Sequence, residues 1–304
     1  MMNIQEKAPK TKGGKHMAIT ESNIQNHGTG IMKEGEELIH EMNESEPAFG
    51  ESAIWWLGQI GFAVKLAGRI FYLDAFLSQH PNRKIPSLLK PEEVTNADYF
   101  FGSHDHTDHI DRKVWHQLSV SSPNAKFIVS KLLIPSLSND LNIKEERFIG
   151  LDDGITLELL DDIRMTGIAA AHEFLDQDPA TGAYPYLGCV LEGGGCSLYH
   201  SGDTCIYEGM YDKLRKFGKL DVMFLPINGR DGRRYRENII GNMTYQEAAD
   251  MVGTFRPGLA VPAHYEMFDK NSEDPLLFAD YLTAKYPGIN YWIGRHGERI
   301  LVKR

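Results

Sequence analysis

The stretch His104-Asp105-His106-Thr107-Asp108-His109, reached from the apolar run Asp98-Tyr99-Phe100-Phe101-Gly102-Ser103, decides how the rest of this 304-residue chain is read. In an extended segment residues two apart point to one side, so the spacing places His104 and His106 on one ion. Asp108 and His109 then fall at a bend, where they turn toward a second ion nearby. Imidazole nitrogen together with carboxylate oxygen suits zinc, manganese or iron, and suits calcium or magnesium poorly. With only 12 histidines in the chain, three histidines and one acid at these spacings arise by chance in about three of a thousand such sequences. A solvated histidine-rich loop is the bland alternative.

Outward from this stretch the chain reads as a sequence of short elements. A helix is expected over 31–43, with Ile31, Leu38, Ile39 and Met42 on one side. AIWWL, GFAVKL and RIFYLD are β-favouring runs separated by glycine-containing turns, an antiparallel start. Residues 112–119 read as a helix, KFIVS as a strand and SKLLIPSL as a short helix. A second β series follows in ITLELL, IRMTGIAAA, YLGCVLE and CSLYHSG. Helices near 207–217, 243–254 and 275–285 then alternate with the strands DVMFLPI, LAVPAH, INYWI and RILV. Two halves, each β-rich first and then mixed with helices, predict an α+β fold of four layers, αββα, with two packed sheets and helices outside. Residues 1–30 are polar and aperiodic, a flexible leader, and 31–304 read as one domain. Three further candidates for metal ligation each end an apolar run: His172, Asp203 and His264.

The bulk numbers narrow the function. Hydrophobic residues make up 42% and charged residues 24%, which suits a globular core. The net charge of −10 argues against nucleic-acid and membrane-surface partners, while leaving room for a small anion in a local basic pocket. Cys189, Cys196 and Cys205 form neither a disulfide framework nor a CxxC pair. No apolar run approaches a membrane span and the N-terminus has no signal-like apolar stretch, so a cytoplasmic location is expected. A fold of this size rich in aromatics is also expected to form a homo-oligomer.

His104, His106, Asp108 and His109 match the HxHxDH motif, and the chain resembles the metallo-β-lactamase superfamily from residue 53 to about 300. The resemblance implies one metal site from His104, His106 and His172, and a second from Asp108, His109 and His264, with Asp203 between them. It implies two divalent ions, manganese or zinc, and a second carboxylate, Asp74, that orients a ligand histidine or caps its turn. Trp55–Lys65, Ser103–Asp111 and Gly194–Thr204 further resemble the L-ascorbate-6-phosphate lactonase branch, with a departure at Cys205. Paired cations lower the pKa of water to about 7, giving hydroxide at neutral pH. Asp108 would orient it and protonate the leaving oxygen, or act as a ligand only.

The expected activity is therefore opening of a lactone of a phosphorylated sugar acid, such as L-ascorbate 6-phosphate. The alternatives are a phosphodiesterase or nuclease with the same metals, and a metal-binding protein without turnover. The segment 228–238, NGRDGRRYREN, gathers Arg230, Arg233, Arg234 and Arg236; forked guanidinium groups suit phosphate, although a solvated or subunit-contact loop fits too. Asn228 and Asn242 are candidates to reach the pocket. Tyr265 is a candidate to polarise a carbonyl, with packing as the alternative. Trp55 and Trp56 read as core and pocket wall, His200 as core or support for the ligands, and His296 as a surface turn residue.

Overall fold

The computed structural model describes residues 30–160 and 162–304, so the expected leader lies outside the described residues apart from its last position. The first sheet holds β1 (Glu51–Gly58), β2 (Gly61–Leu66), β3 (Arg69–Leu73), β4 (Tyr99–Gly102), β5 (Lys126–Ser130) and β6 (Phe148–Leu151) in that order, with β13 (Arg299–Lys303) outside β1. β13, β1, β2 and β3 pair antiparallel, as the early sequence pattern predicts, and β3 to β6 pair parallel. The second sheet runs β12-β11-β10-β9-β8-β7, from β7 (Thr156–Leu160), β8 (Ile163–Ala169), β9 (Leu187–Gly193), β10 (Cys196–His200), β11 (Val222–Pro226) and β12 (Leu259–Ala263).

Both faces of the first sheet are buried, which is why β1 and β2 read as unbroken apolar runs. Ile54, Trp56, Phe62 and Val64 point into the layer between the sheets, where Phe62 meets Phe224 of β11 at a ring distance of 4.3 Å. Ala53, Trp55, Leu57 and Ala63 point the other way, onto α1 (Gly35–Glu44), α2 (Trp115–Ser121) and α3 (Ile134–Leu141). α4 (Met210–Arg215), α6 (Tyr245–Phe255) and α7 (Pro275–Lys285) bring buried side chains to the core shared with the second sheet. The observed order of layers is the αββα order expected from the sequence.

α1 buries Leu38, Ile39 and Met42 as their spacing predicts. Its last carbonyls, on Met42 and Asn43, accept from Lys65 Nζ at 3.0 and 2.8 Å, a cation at the negative end of the helix. Two expectations fail. INYWI forms no strand: its backbone exchanges two hydrogen bonds with Ala260, and the chain then leaves the sheet edge. Arg233, Arg234 and Arg236 lie in a short helix, α5 (Gly232–Arg236), because Asp231 caps the amides of Arg233 and Arg234. Among the described residues no helix is long and apolar enough to cross a membrane.

Candidate metal centre

The chemistry-bearing residues gather where strands of the two sheets end side by side. β3 delivers Asp74, β4 delivers Ser103 and His104, and the segment after β8 carries His172. β10 leads to Asp203 and β12 to His264. Residues 104–109 are not extended, as the sequence reading supposed. They form a tight turn in which His104 O accepts from His106 N and His106 O accepts from both His109 N and Ile110 N. Gly102 permits this fold-back, since a Cβ there would lie 2.5 Å from Ile110 and 3.0 Å from the Trp115 ring. Outside the turn, Arg112 grips Asp105 through two bonds of 2.8 and 2.7 Å, so Asp105 faces away from the ligand set.

The turn brings His104 Nε2 within 3.0 Å of His106 Nδ1, which lies 3.2 Å from His172 Nε2. Burial, reinforced by His109, holds His104 well below the usual histidine range. Burial, partly opposed by Asp203, pushes His172 down to about 4. Neutral imidazoles converging on one point are the form that ligates a cation. The Tyr186 ring stands beside all three, 5.4 Å from His172 and 5.5 Å from His104.

Asp203 Oδ2 lies 3.2 Å from His264 Nε2 and 3.5 Å from His109 Nε2. Asp108 Oδ2 stands 3.5 and 3.7 Å from the same two nitrogens. A tetrahedral ion with bonds of about 2.1 Å holds neighbouring donors about 3.4 Å apart, close to each of these four distances, and Asp108, His109 and His264 form one group of donors that could hold an ion. His109 Nε2 and Asp203 Oδ1 are buried without a hydrogen-bond partner, a deficit that a cation would relieve. Burial opposes charge on both histidines, but Asp203 and Asp108 outweigh it: His264 rises to about 10 and His109 well above its ordinary value. Burial likewise opposes charge on both aspartates, yet His109 and His264 keep them below the usual carboxylate range. Asp203 also groups with His104 and His109, so one carboxylate stands between the two clusters.

Asp74 sets the tautomers. It is fully buried; its Oδ1 accepts from Ser103 N at 2.8 Å, and its Oδ2 accepts from Ser103 Oγ at 2.6 Å and from His109 Nδ1 at 2.7 Å. With its proton given to Asp74, Ser103 Oγ accepts from His104 Nδ1 at 3.0 Å. Both rings thus carry their proton on Nδ1 and turn Nε2 inward as a donor atom, the arrangement that fixes ligand histidines in metal sites. His200 is core: its Nε2 donates to Ile60 O at 2.8 Å, and its Nδ1 accepts from Gly202 N. Gly202 has a φ of +58°, and a Cβ would meet Leu187 O at 2.7 Å and Ser103 Cβ at 2.8 Å, so glycine lets Asp203 approach this closely.

Three participants have no role in the sequence reading, although all three lie in runs quoted there: Ser103, Tyr186 and Gln59. The Gln59 Nε2 donates to Asp108 Oδ2 at 2.8 Å and lies 3.2 Å from His264 Nε2. Backbone conformation offers one signal. Of eight non-glycine residues with positive φ among the described residues, Gln59, Asp74 and His264 belong to this centre and Glu173 follows the ligand candidate His172.

The remaining candidates fall elsewhere. Arg230 is paired at 2.6 and 2.7 Å with both oxygens of Glu247, and also donates to Asn242 O. Arg234 donates to the Asn228 and Ser272 carbonyls. Arg233 is exposed on α5, beside Lys270 in a surface pocket of about 370 Å³. Asn228 is buried, bonded to Asn271 and Asn242, and it reaches the site's entrance only through Asn271. Tyr265 is buried against Trp56 at a ring distance of 5.5 Å. His296 is not on the surface: it is 8% exposed and stacks on Trp56 at 4.3 Å. Asp108 opens onto a cleft of about 760 Å³ lined also by Asn82, Arg83, Lys84, Lys270 and Asn271. The Arg83 guanidinium is committed to the carbonyls of Phe76, Ser78 and Ile85. Lys84 and Lys270 pair at the exposed rim with Asp269 and Glu237.

The family described as "Beta-lactamase superfamily domain" matches residues 69–265. A UPF0173 metal-dependent hydrolase of Caldivirga maquilingensis is 27% identical over 80% of this chain and 95% of its own length. A protein of the same description from Anaeromyxobacter sp. (strain K) is 30% identical over 74% of this chain and 78% of its own. The structure of Igni18, a metallo hydrolase of Ignicoccus hospitalis, shares the fold with a TM-score of 0.67 at 20% identity, covering 84% of this chain and 99% of that one. The chain belongs to the metallo-β-lactamase superfamily, among its metal-dependent hydrolases.

Proposed function

We propose that this protein opens the lactone ring of a small sugar acid carrying an anionic group, a phosphorylated lactone of the L-ascorbate 6-phosphate type, using two divalent cations, manganese or zinc. The observation that carries the proposal is the pair of donor clusters with Asp203 between them, and Asp108 of the second cluster lining a cleft of about 760 Å³. When bound, cations in such a cradle supply a water made acidic enough to attack and a counter-charge for the oxyanion. The chain's own part is then positional. His104, His106 and His172 would hold one ion and Asp108, His109 and His264 the other, with Asp203 holding both. Asp108 is the one acidic ligand with part of its side chain, 19%, open to the cleft, so it orients the attacking water and offers its carboxylate as the proton carrier to the leaving oxygen.

Substrate charge is met at the cleft's rim. Arg230 and Arg234 have their donors committed inside the protein, which leaves Arg233 and Arg236 exposed; of these two, Arg233 shares the pocket that Lys270 lines and is our candidate to reach an anion. Lys84 and Lys270 join it, because exposed ion pairs such as theirs are worth at most about 1 kcal/mol and exchange readily. The same donor clusters would also serve a phosphodiester. Purified protein loaded with manganese or zinc and given phosphorylated lactones, neutral lactones and bis-p-nitrophenyl phosphate separates the two. Lactone opening preferred over diester cleavage supports the proposal; fast diester cleavage without lactone opening refutes it.

A further inference from the structure

We infer that Gln59 is a positioning residue for the second cation, holding the Asp108 carboxylate in the orientation that site requires; the inference rests on the two-cation reading above. Gln59 occupies the turn between β1 and β2 with a φ of +56°, a conformation that favours glycine, and it is flanked by Gly58 and Gly61. It is nevertheless a long polar side chain, wholly buried, whose Oε1 has no partner. Backbone strain, an ordered side chain and an unsatisfied oxygen are three penalties that glycine would avoid at this position. What the side chain does explains why they are tolerated.

The turn is fastened to the opposite sheet. Glu266 Oε1 accepts from Gln59 N at 2.8 Å and meets His296 Nε2 at 3.1 Å. The Gln59 carbonyl accepts from the Trp56 indole at 3.1 Å and from His264 N at 3.0 Å. The backbone of Gln59 thus steadies the residue that carries one ligand ring, while its amide nitrogen reaches Asp108 Oδ2 at 2.8 Å and stands 3.2 Å from His264 Nε2. The two contacts differ in what a cation does to them. A carboxylate oxygen has two lone pairs, so Asp108 can ligate and still accept from Gln59. An imidazole nitrogen has one in-plane position, so His264 Nε2 cannot both ligate a cation and bond to Gln59. The bond to Asp108 is the one that survives loading. None of His104, His106 and His172 bonds to Gln59, so the effect is confined to the second ion.

The test is stepwise titration of the full chain with manganese or zinc by calorimetry, on wild type, Gln59→Leu and Gln59→Gly, with melting of each metal-free protein alongside. The expected result is that both variants bind the first equivalent as wild type does and the second about ten- to a hundredfold more weakly. Gln59→Gly should melt within a few degrees of wild type, because strain and the unpaired oxygen leave together. Unchanged second-step affinity in both variants overturns the inference. So does equal weakening of both steps, which would make Gln59 a support of the fold alone. Wild-type protein that takes up fewer than two equivalents instead overturns the two-cation reading on which the inference stands.

Discussion

Replacing Asp74 by asparagine removes one charge and no volume, and its effect on metal binding follows from three distances. Asp74 accepts from Ser103 N at 2.8 Å, from Ser103 Oγ at 2.6 Å and from His109 Nδ1 at 2.7 Å, in a place with no solvent access. Asparagine has a single acceptor oxygen. If that oxygen stays with His109 and Ser103 Oγ, the new amide faces the Ser103 N–H, donor against donor. One buried donor left unmade costs about 1–3 kcal/mol of folding free energy. His109 meanwhile exchanges a charge-assisted bond for a neutral one, roughly half as strong, and its tautomer is no longer enforced. Loss of such a partner lowers metal affinity about ten- to a hundredfold, or about 1.4–2.7 kcal/mol. Competition with a chromogenic chelator for manganese or zinc measures the affinity, and melting of the metal-free protein measures the fold. If Asp74→Asn melts earlier but binds metal as wild type does, the claim that Asp74 presents His109 to the ion is wrong.

Four further outcomes follow from the same geometry. In the metal-free protein His264 is raised to about 10, so it holds a proton at pH 7–8 that a cation must displace. Because His109 is raised as well, titration calorimetry in buffers of different ionisation enthalpy should show proton release on metal binding at pH 7, with affinity falling toward lower pH; no proton release at pH 7 would refute it. Gly202→Ala forces a Cβ to within 2.7 Å of Leu187 O at a φ of +58°; it should destabilise the fold by about 2 kcal/mol or more and displace Asp203, read as a lower melting temperature and lost metal. Arg230→Ala should lower the melting temperature by breaking the Glu247 pair, at about 1–3 kcal/mol, and leave KM unchanged. Arg233→Ala should raise KM for a phosphorylated lactone and not for a neutral one.

That the candidate donors would come together was legible because their pattern is written locally: His104 to His109 lie within six positions, and His172, Asp203 and His264 each follow an apolar strand. The strands were legible for the same reason, as runs such as GFAVKL need no distant information. Gln59 was not, because its partner His264 lies 205 positions away and only the packing of the two sheets brings them together. His296 looked like a surface turn residue until Trp56 and Glu266 closed over it. The arginine cluster shows the limit of counting charges: sequence gives four guanidinium groups, but only the fold reveals that Arg230 meets Glu247 and that Arg234 meets backbone carbonyls. INYWI has strand composition, yet it meets the sheet edge through Ala260 alone.

The central claim is that seven side chains hold two ions with Asp203 between them. Anomalous diffraction from crystals grown with manganese or zinc tests it most directly. The account predicts two peaks, one among His104 Nε2, His106 Nδ1 and His172 Nε2, the other among Asp108 Oδ2, His109 Nε2 and His264 Nε2, with Asp203 touching both. A single peak, or peaks bonded to other residues, would contradict it.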